Sequence, residues 1–221
     1  MKKLERKPDS HKGQNGKVGV IGGSKEFSGA PALNAEAALR TGSDLVKILT
    51  SDQVRPVVQS FSENLIVESF GESFDRSSLE KALKLDEWSD TTVVGPGLLD
   101  FDEEALRDFA ERSDELVVDA GAIRSLREVK AVFTPHAREA EDLEEEYGSL
   151  KAFADETGST VLLKGKIDTI YSGERVFENE AGCAGMTAGG TGDVLAGIVA
   201  AFCAQGLEEE DAARLAAHVS G

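Results

Sequence analysis

Gly185-Met186-Thr187-Ala188-Gly189-Gly190-Thr191-Gly192-Asp193-Val194-Leu195-Ala196-Gly197 runs directly into the apolar stretch Ile198-Val199-Ala200-Ala201-Phe202. Glycines crowded ahead of a helical pattern are costly, because each loses more backbone entropy on folding than any other residue, so the chain needs bare backbone here. Val194, Leu195, Ile198, Val199 and Phe202 recur at three- and four-residue spacing, which predicts a helix from near Thr191 with Asp193 in its first turn. The unpaired amides and positive dipole end of such a terminus attract anions, and glycines let phosphate oxygens approach the main chain. Gly189, Gly190, Thr191 and Gly192 are therefore candidate phosphate-binding residues.

Asp193 sits inside that anion site, where a carboxylate would repel phosphate unless its charge has a task. A general base beside a phosphoryl group is such a task. Taken alone, the residue reads equally well as an ordinary first-turn acid favoured by the dipole.

The rest of the chain places this loop in a repeating frame. Residues 18–21 form an apolar strand ending at Gly22-Gly23-Ser24, and Pro31 opens a helix whose small-residue face reaches Gly42. Strands follow at 45–49 and 65–67, with a short helix within 52–59 and another helix at 77–85. The strand at 91–94 ends at Gly95-Pro96-Gly97, a glycine-flanked proline that fixes a turn and exposes backbone amides. A helix at 102–112, a strand at 115–118 ending at Asp119-Ala120-Gly121-Ala122, and a short helix toward Glu128 come next. The strand at 131–133 closes at Thr134-Pro135-His136 before a helix at 137–147, and 160–164 and 169–171 form a hairpin across Gly165-Lys166-Ile167-Asp168. A last helix covers 208–219.

Strands joined through helices build a parallel sheet with right-handed crossovers and helices on both faces. Ligands of such sheets bind beyond the carboxyl ends of the strands, where the GGS, GPG, DAGA, TPH and KGK turns all fall. The fold class is α/β, a three-layer αβα arrangement around a mainly parallel sheet, in one domain over residues 1–221.

A formal charge of −17 argues against nucleic-acid and anionic-membrane partners, which need a basic face. The acids interleave with apolar residues at helical spacing and read as solvated helix faces, suited to a salt-adapted cytoplasm or to an ordinary acidic cytosolic protein. Lys164 and Lys166 are rare positive charges, placed either in a solvated turn or where phosphates could be met. No apolar run is long enough to span a membrane, and the amino terminus lacks a signal-like apolar core, so a cytoplasmic location is expected. Cys183 and Cys203 are read as free thiols.

The stretch from Ala184 to Phe202, with the GGS, GPG, TPH and KGK turns, resembles the ADP-dependent NAD(P)H-hydrate dehydratases of the ribokinase-like superfamily. The resemblance runs from His11 to Phe202. It implies repair of hydrated NADH and NADPH in their S form, driven by ADP rather than ATP, with AMP and phosphate released and Mg²⁺ accompanying the nucleotide. It points to Ala30, Gly97, His136 and Asp193 for the substrate, with Asp193 catalytic, and to Lys164, Gly165, Lys166, Ile167, Asp168 and Gly189 to Gly192 for the adenine nucleotide. No metal ligands are identified. Two departures stand out: Ala137-Arg138-Glu139 replaces a frequent P-G-E, and Asp168 stands where threonine is usual. The resemblance further implies a homo-oligomer, with a tetramer as one form; the epimerase domain that often precedes this domain is absent, so the chain reads as either a stand-alone dehydratase or a cut from a fusion, and its last helix stops at Gly221 earlier than the family's would. A small-molecule kinase of the same superfamily acting on a vitamin-precursor alcohol, and a non-catalytic nucleotide sensor, are the alternatives; the sensor would not need Asp193.

Overall fold

A computed structural model describes residue 4 and residues 6–221. Its strands are β1 (Lys17–Ile21), β2 (Leu45–Ser51), β3 (Ile66–Gly71), β4 (Thr91–Val94), β5 (Leu116–Val118), β6 (Val132–Phe133), β7 (Thr160–Leu163), β8 (Asp168–Ser172) and β9 (Arg175–Asn179). The helices are α1 (Ala30–Thr41), α2 (Arg55–Gln59), α3 (Leu79–Trp88), α4 (Glu103–Ala110), α5 (Ala137–Tyr147), α6 (Leu150–Thr157), α7 (Thr191–Ala204) and α8 (Glu209–Ser220). All nine strands form one sheet in the order β3-β2-β1-β4-β5-β6-β7-β8-β9. The first seven in that order pair in parallel, and β8 and β9 close the edge as antiparallel strands.

Each strand divides its side chains between two cores, as the two-residue period requires. Val93, Val117, Val132 and Leu162 face a core built with α1, α7 and α8, whereas Val94, Val118, Phe133 and Val161 face a core built with α3, α4, α5 and α6. Burial on both faces explains why these strands read as continuous apolar runs. The two cores differ in grain. The second is aromatic, with Phe133 and Phe153 packed edge-to-face at 5.0 Å between ring centroids, each buried ring contributing roughly 1.5–3 kcal/mol. The first is rich in alanine, and Gly197 lets α7 approach α1 so closely that an added Cβ would lie 2.2 Å from the Asn34 carbonyl oxygen.

The direction in which successive strands are added reverses between β1 and β4: β1, β2 and β3 step one way across the sheet, and β4 to β7 step the other. The crevice beyond the carboxyl ends of β1 and β4 is thus the topological switch point, where open α/β sheets bind ligands. Gly22-Gly23-Ser24 and Gly95-Pro96-Gly97 meet there, with the Gly23 amide donating to the Pro96 carbonyl at 2.8 Å.

Several elements differ from the sequence reading. Residues 120–128 hold only a 3-10 turn at Ala120–Ala122 followed by turns, although Ala122, Ile123 and Leu126 are all buried in the second core. Helix α6 and strand β9 are additional, as is a 3-10 turn at Ala184–Thr187. Asp168 belongs to β8 rather than to the preceding turn. No helix among the described residues is long and apolar enough to cross a membrane.

Candidate active site

Helix α7 begins with Gly190 as its N-cap, at φ +90°, a left-handed conformation that glycine adopts without penalty. No side chain caps this terminus: the Thr191 hydroxyl donates instead to the carbonyls of Met186 and Ala188, at 2.9 and 3.0 Å. The first amides of α7 are therefore left for a ligand, at the positive end of the helix dipole. An added Cβ at Gly189 would meet open space, whereas at Gly192 it would lie 3.2 Å from the Lys164 ammonium. Lys164, rooted just past β7, thus reaches the glycine loop itself.

Beside this terminus lies a cavity of about 740 Å³. Among the residues expected to bind nucleotide, Lys164, Gly165, Lys166, Asp168, Thr191 and Gly192 line it; Ile167, Gly189 and Gly190 do not. Its remaining wall comes largely from Gly182, Cys183, Ala184, Met186, Thr187 and Ala188, which sequence reasoning did not assign, although Met186-Thr187-Ala188 directly precedes the glycine loop. A smaller hollow of about 470 Å³ on α1 and α7, lined by Leu33, Val194, Ile198 and Phe202 among others, is mainly apolar.

Asp168 is buried, with one carboxylate oxygen accepting from the Gly165 amide at 3.1 Å and the other from Asn179 at 3.3 Å. It braces the turn between β7 and β8. His136 caps α5: its Nδ1 accepts from the Glu139 amide at 3.2 Å, and the Glu139 carboxylate accepts from the His136 amide at 2.8 Å. The acid retained in Ala137-Arg138-Glu139 completes this capping box and fixes the imidazole at the cavity, which His136 also lines.

Ala30 and Gly97 form a second group, at the switch point. A Cβ at Gly97 would lie 3.1 Å from that of Ala30, and at φ +66° glycine is the residue suited to the position. Asp193 connects the two groups through α7, since its carbonyl accepts from the Asn34 side chain of α1 at 3.1 Å. Burial, reinforced by the Asp119 carboxylate and partly offset by Lys164, pushes the Asp193 carboxyl up to about 6. A carboxyl held near neutrality can both take and hold a proton, as a general base must.

Asp119 itself escaped the sequence reading as a site residue. Its carboxylate is 2% exposed and one oxygen accepts from both Lys164, at 2.8 Å, and the Thr134 hydroxyl, at 2.7 Å. The next residue, Ala120, has φ +50°, an uncommon value for a non-glycine residue. Three strand ends, β5, β6 and β7, thereby converge on one buried charge.

A family profile for NAD(P)H-hydrate dehydratase matches residues 18–221. The chain belongs to the NAD(P)H-hydrate dehydratase family. A relative from Haloterrigena turkmenica, named ADP-dependent (S)-NAD(P)H-hydrate dehydratase, is 40% identical over 212 residues, covering 94% of this chain and 82% of its own. A ribokinase-like superfamily protein from Enterococcus faecalis V583 superposes with a TM-score of 0.83 at 27% identity, over 98% of this chain and 81% of that one. An ADP/ATP-dependent NAD(P)H-hydrate dehydratase from Bacillus subtilis, co-crystallised with ATP/Mg²⁺, gives a TM-score of 0.80 at 24% identity, over 98% and 82% of the two chains. The dehydratase family thus shares this ribokinase-like fold.

Proposed function

We propose that this chain is an ADP-dependent (S)-NAD(P)H-hydrate dehydratase that restores hydrated NADH and NADPH to the reduced cofactors, releasing AMP and phosphate. The observation that carries the reading is Asp193, a carboxyl raised to about 6 in the first turn of an uncapped, glycine-preceded helix beside a cavity with Lys164 and Lys166. The 40% identity to a relative of that name supports the substrate.

In this reading ADP lies in the cavity, with its terminal phosphate on the amides at Gly189 to Gly192 and its charge met by Lys164 and Lys166. The hydrated ring lies toward Ala30, Gly97 and His136. Asp193 takes the proton of the ring hydroxyl as that oxygen attacks the terminal phosphorus, and the bond to AMP breaks. Preorganised amides hold the developing charge without reorganising. The ring nitrogen's lone pair then expels phosphate, and loss of a proton from the neighbouring carbon restores the dihydropyridine.

No cluster of three or more His, Cys, Asp or Glu groups that could hold a metal occurs among the described residues, and the carboxylates of Asp119 and Asp168 already have partners. The described residues offer no built Mg²⁺ cage. A magnesium ion arriving with the nucleotide would be held by phosphate oxygens and water, as this ion commonly is.

The test is recovery of NADH absorbance from hydrated NADH with ADP or ATP. The expected result is rapid recovery with ADP and far slower recovery with ATP, because misplacing the reacting phosphorus by about 1 Å can cost on the order of a hundredfold. Equal rates would remove the ADP preference alone. No recovery with either, together with phosphorylation of another alcohol, would make the chain a kinase.

A further inference from the structure

The chemistry above makes no use of the residues between Ser24 and Ala30, where Phe27 stands as one of two exposed phenylalanines among the described residues, the other being Phe61. The largest apolar side chains of this protein are mostly sequestered, yet Phe27 is 53% exposed, so much of its ring forgoes burial. Its backbone is firmly held. The Phe27 amide donates to the carbonyl and hydroxyl of Ser24, at 3.2 and 3.3 Å, and Ser24 is itself buried.

The turn also presses on the switch-point crevice. A Cβ at Gly97 would lie 2.6 Å from the Phe27 carbonyl oxygen and 2.9 Å from its Cβ, beside the Ala30 methyl. The side chain is thus rooted where the GGS and GPG turns meet, three residues before Ala30. Any group that reaches Ala30 and Gly97 comes close to the root of this side chain. Asn34, one helical turn beyond Ala30, bonds the Asp193 carbonyl, so the same end of α1 borders the proposed base.

We propose that Phe27 is a substrate-binding residue whose ring forms the apolar wall against which the hydrated nicotinamide ring packs. The proposal rests on the dehydratase reading and on its placement of substrate at Ala30 and Gly97. The hydrated ring is uncharged, so it gains by leaving water against an aromatic face, and a phenyl ring offers that face with only two side-chain torsions to fix.

Steady-state kinetics with hydrated NADH and ADP test this in Phe27→Ala, Phe27→Tyr and Phe27→Trp. Phe27→Ala should raise KM for the hydrate roughly tenfold or more, from the loss of apolar burial, leave KM for ADP and the melting temperature in place, and be rescued by tyrosine or tryptophan. The penalty should persist with the hydrated mononucleotide, which lacks the adenylate half. A penalty that disappears there would put Phe27 against the adenine instead and overturn the proposal, as would an unchanged hydrate KM. The wild-type chain has one tryptophan, Trp88, so Phe27→Trp adds an emission that bound hydrate should shield from acrylamide, a readout independent of turnover. A wild-type protein inactive with both nucleotides would fail the dehydratase reading; an active one indifferent to Phe27→Ala would fail only this inference.

Discussion

The Lys164 ammonium lies 2.8 Å from Asp119 Oδ1, with the acid 2% and the lysine side chain 18% exposed, at the meeting point of the phosphate loop and the sheet. A buried pair of this kind contributes little against an apolar replacement of both members, yet removing one member strands the other's charge. Lys164→Met should therefore lower the unfolding free energy by about 3 kcal/mol. Joint replacement with Asp119→Leu should recover part of that loss. Urea denaturation of the single and double variants measures both; an additive loss in the double variant would contradict the pairing.

Asp193 should govern how both activity and stability depend on pH. With its carboxyl at about 6, the ionised base is depleted below that value, so kcat/KM should fall tenfold per unit on the acid side. Asp193→Asn should bind nucleotide but lose turnover by about 10²- to 10⁴-fold. The folded-state value lies above the ordinary 3.8, so the folded protein holds an extra proton between the two values. The resulting stabilisation is complete below 3.8 and is lost as pH rises through about 6. Thermal melts of wild type and Asp193→Asn across that window should diverge, and parallel curves would refute the shift.

Gly97→Ala should act on the substrate side. A left-handed φ of +66° and a carbonyl oxygen 2.6 Å from the new methyl leave no room, so the Phe27 turn must move. The cost should be roughly 1–3 kcal/mol of stability, and KM for the hydrate should rise more than KM for ADP. Calorimetry and initial rates test the two halves separately.

The acidic surface should make stability salt-dependent. A formal charge of −17 spread over helix faces repels itself, and exposed charges feel one another over only about 10 Å at 0.1 M salt. The melting temperature should rise as KCl is added. A flat response from low to molar salt would show that repulsion does not limit stability.

Much of this fold is legible in the sequence because its glycines mark backbone positions that side chains would disturb. The five turns after β1, β4, β5, β6 and β7 can be read individually, and those strands are consecutive neighbours in the sheet. Other elements leave weaker traces. Helix α6 is only Leu150–Thr157, announced by Ser149, whose hydroxyl accepts from the Ala152 amide, and short helices give little periodicity to detect. Strand β9 is an edge strand with mostly exposed side chains, so it lacks the apolar run that reveals the others. The significance of Asp119 depends on Thr134 and Lys164 arriving from different strands, a meeting that no local pattern encodes.

The close approach at Gly197 has a further consequence. Helix α1 carries Ala30 at one end of the site, α7 carries the phosphate loop at the other, and the Asn34 bond to Asp193 joins chain segments 159 residues apart. With an added Cβ only 2.2 Å from the Asn34 carbonyl, neither helix can shift without the other registering it. The two ligands should then report on each other, and linkage requires that ADP tighten the hydrate by the same factor by which the hydrate tightens ADP. In amide hydrogen exchange, adding nucleotide alone should spread protection from the start of α7 into the first turns of α1.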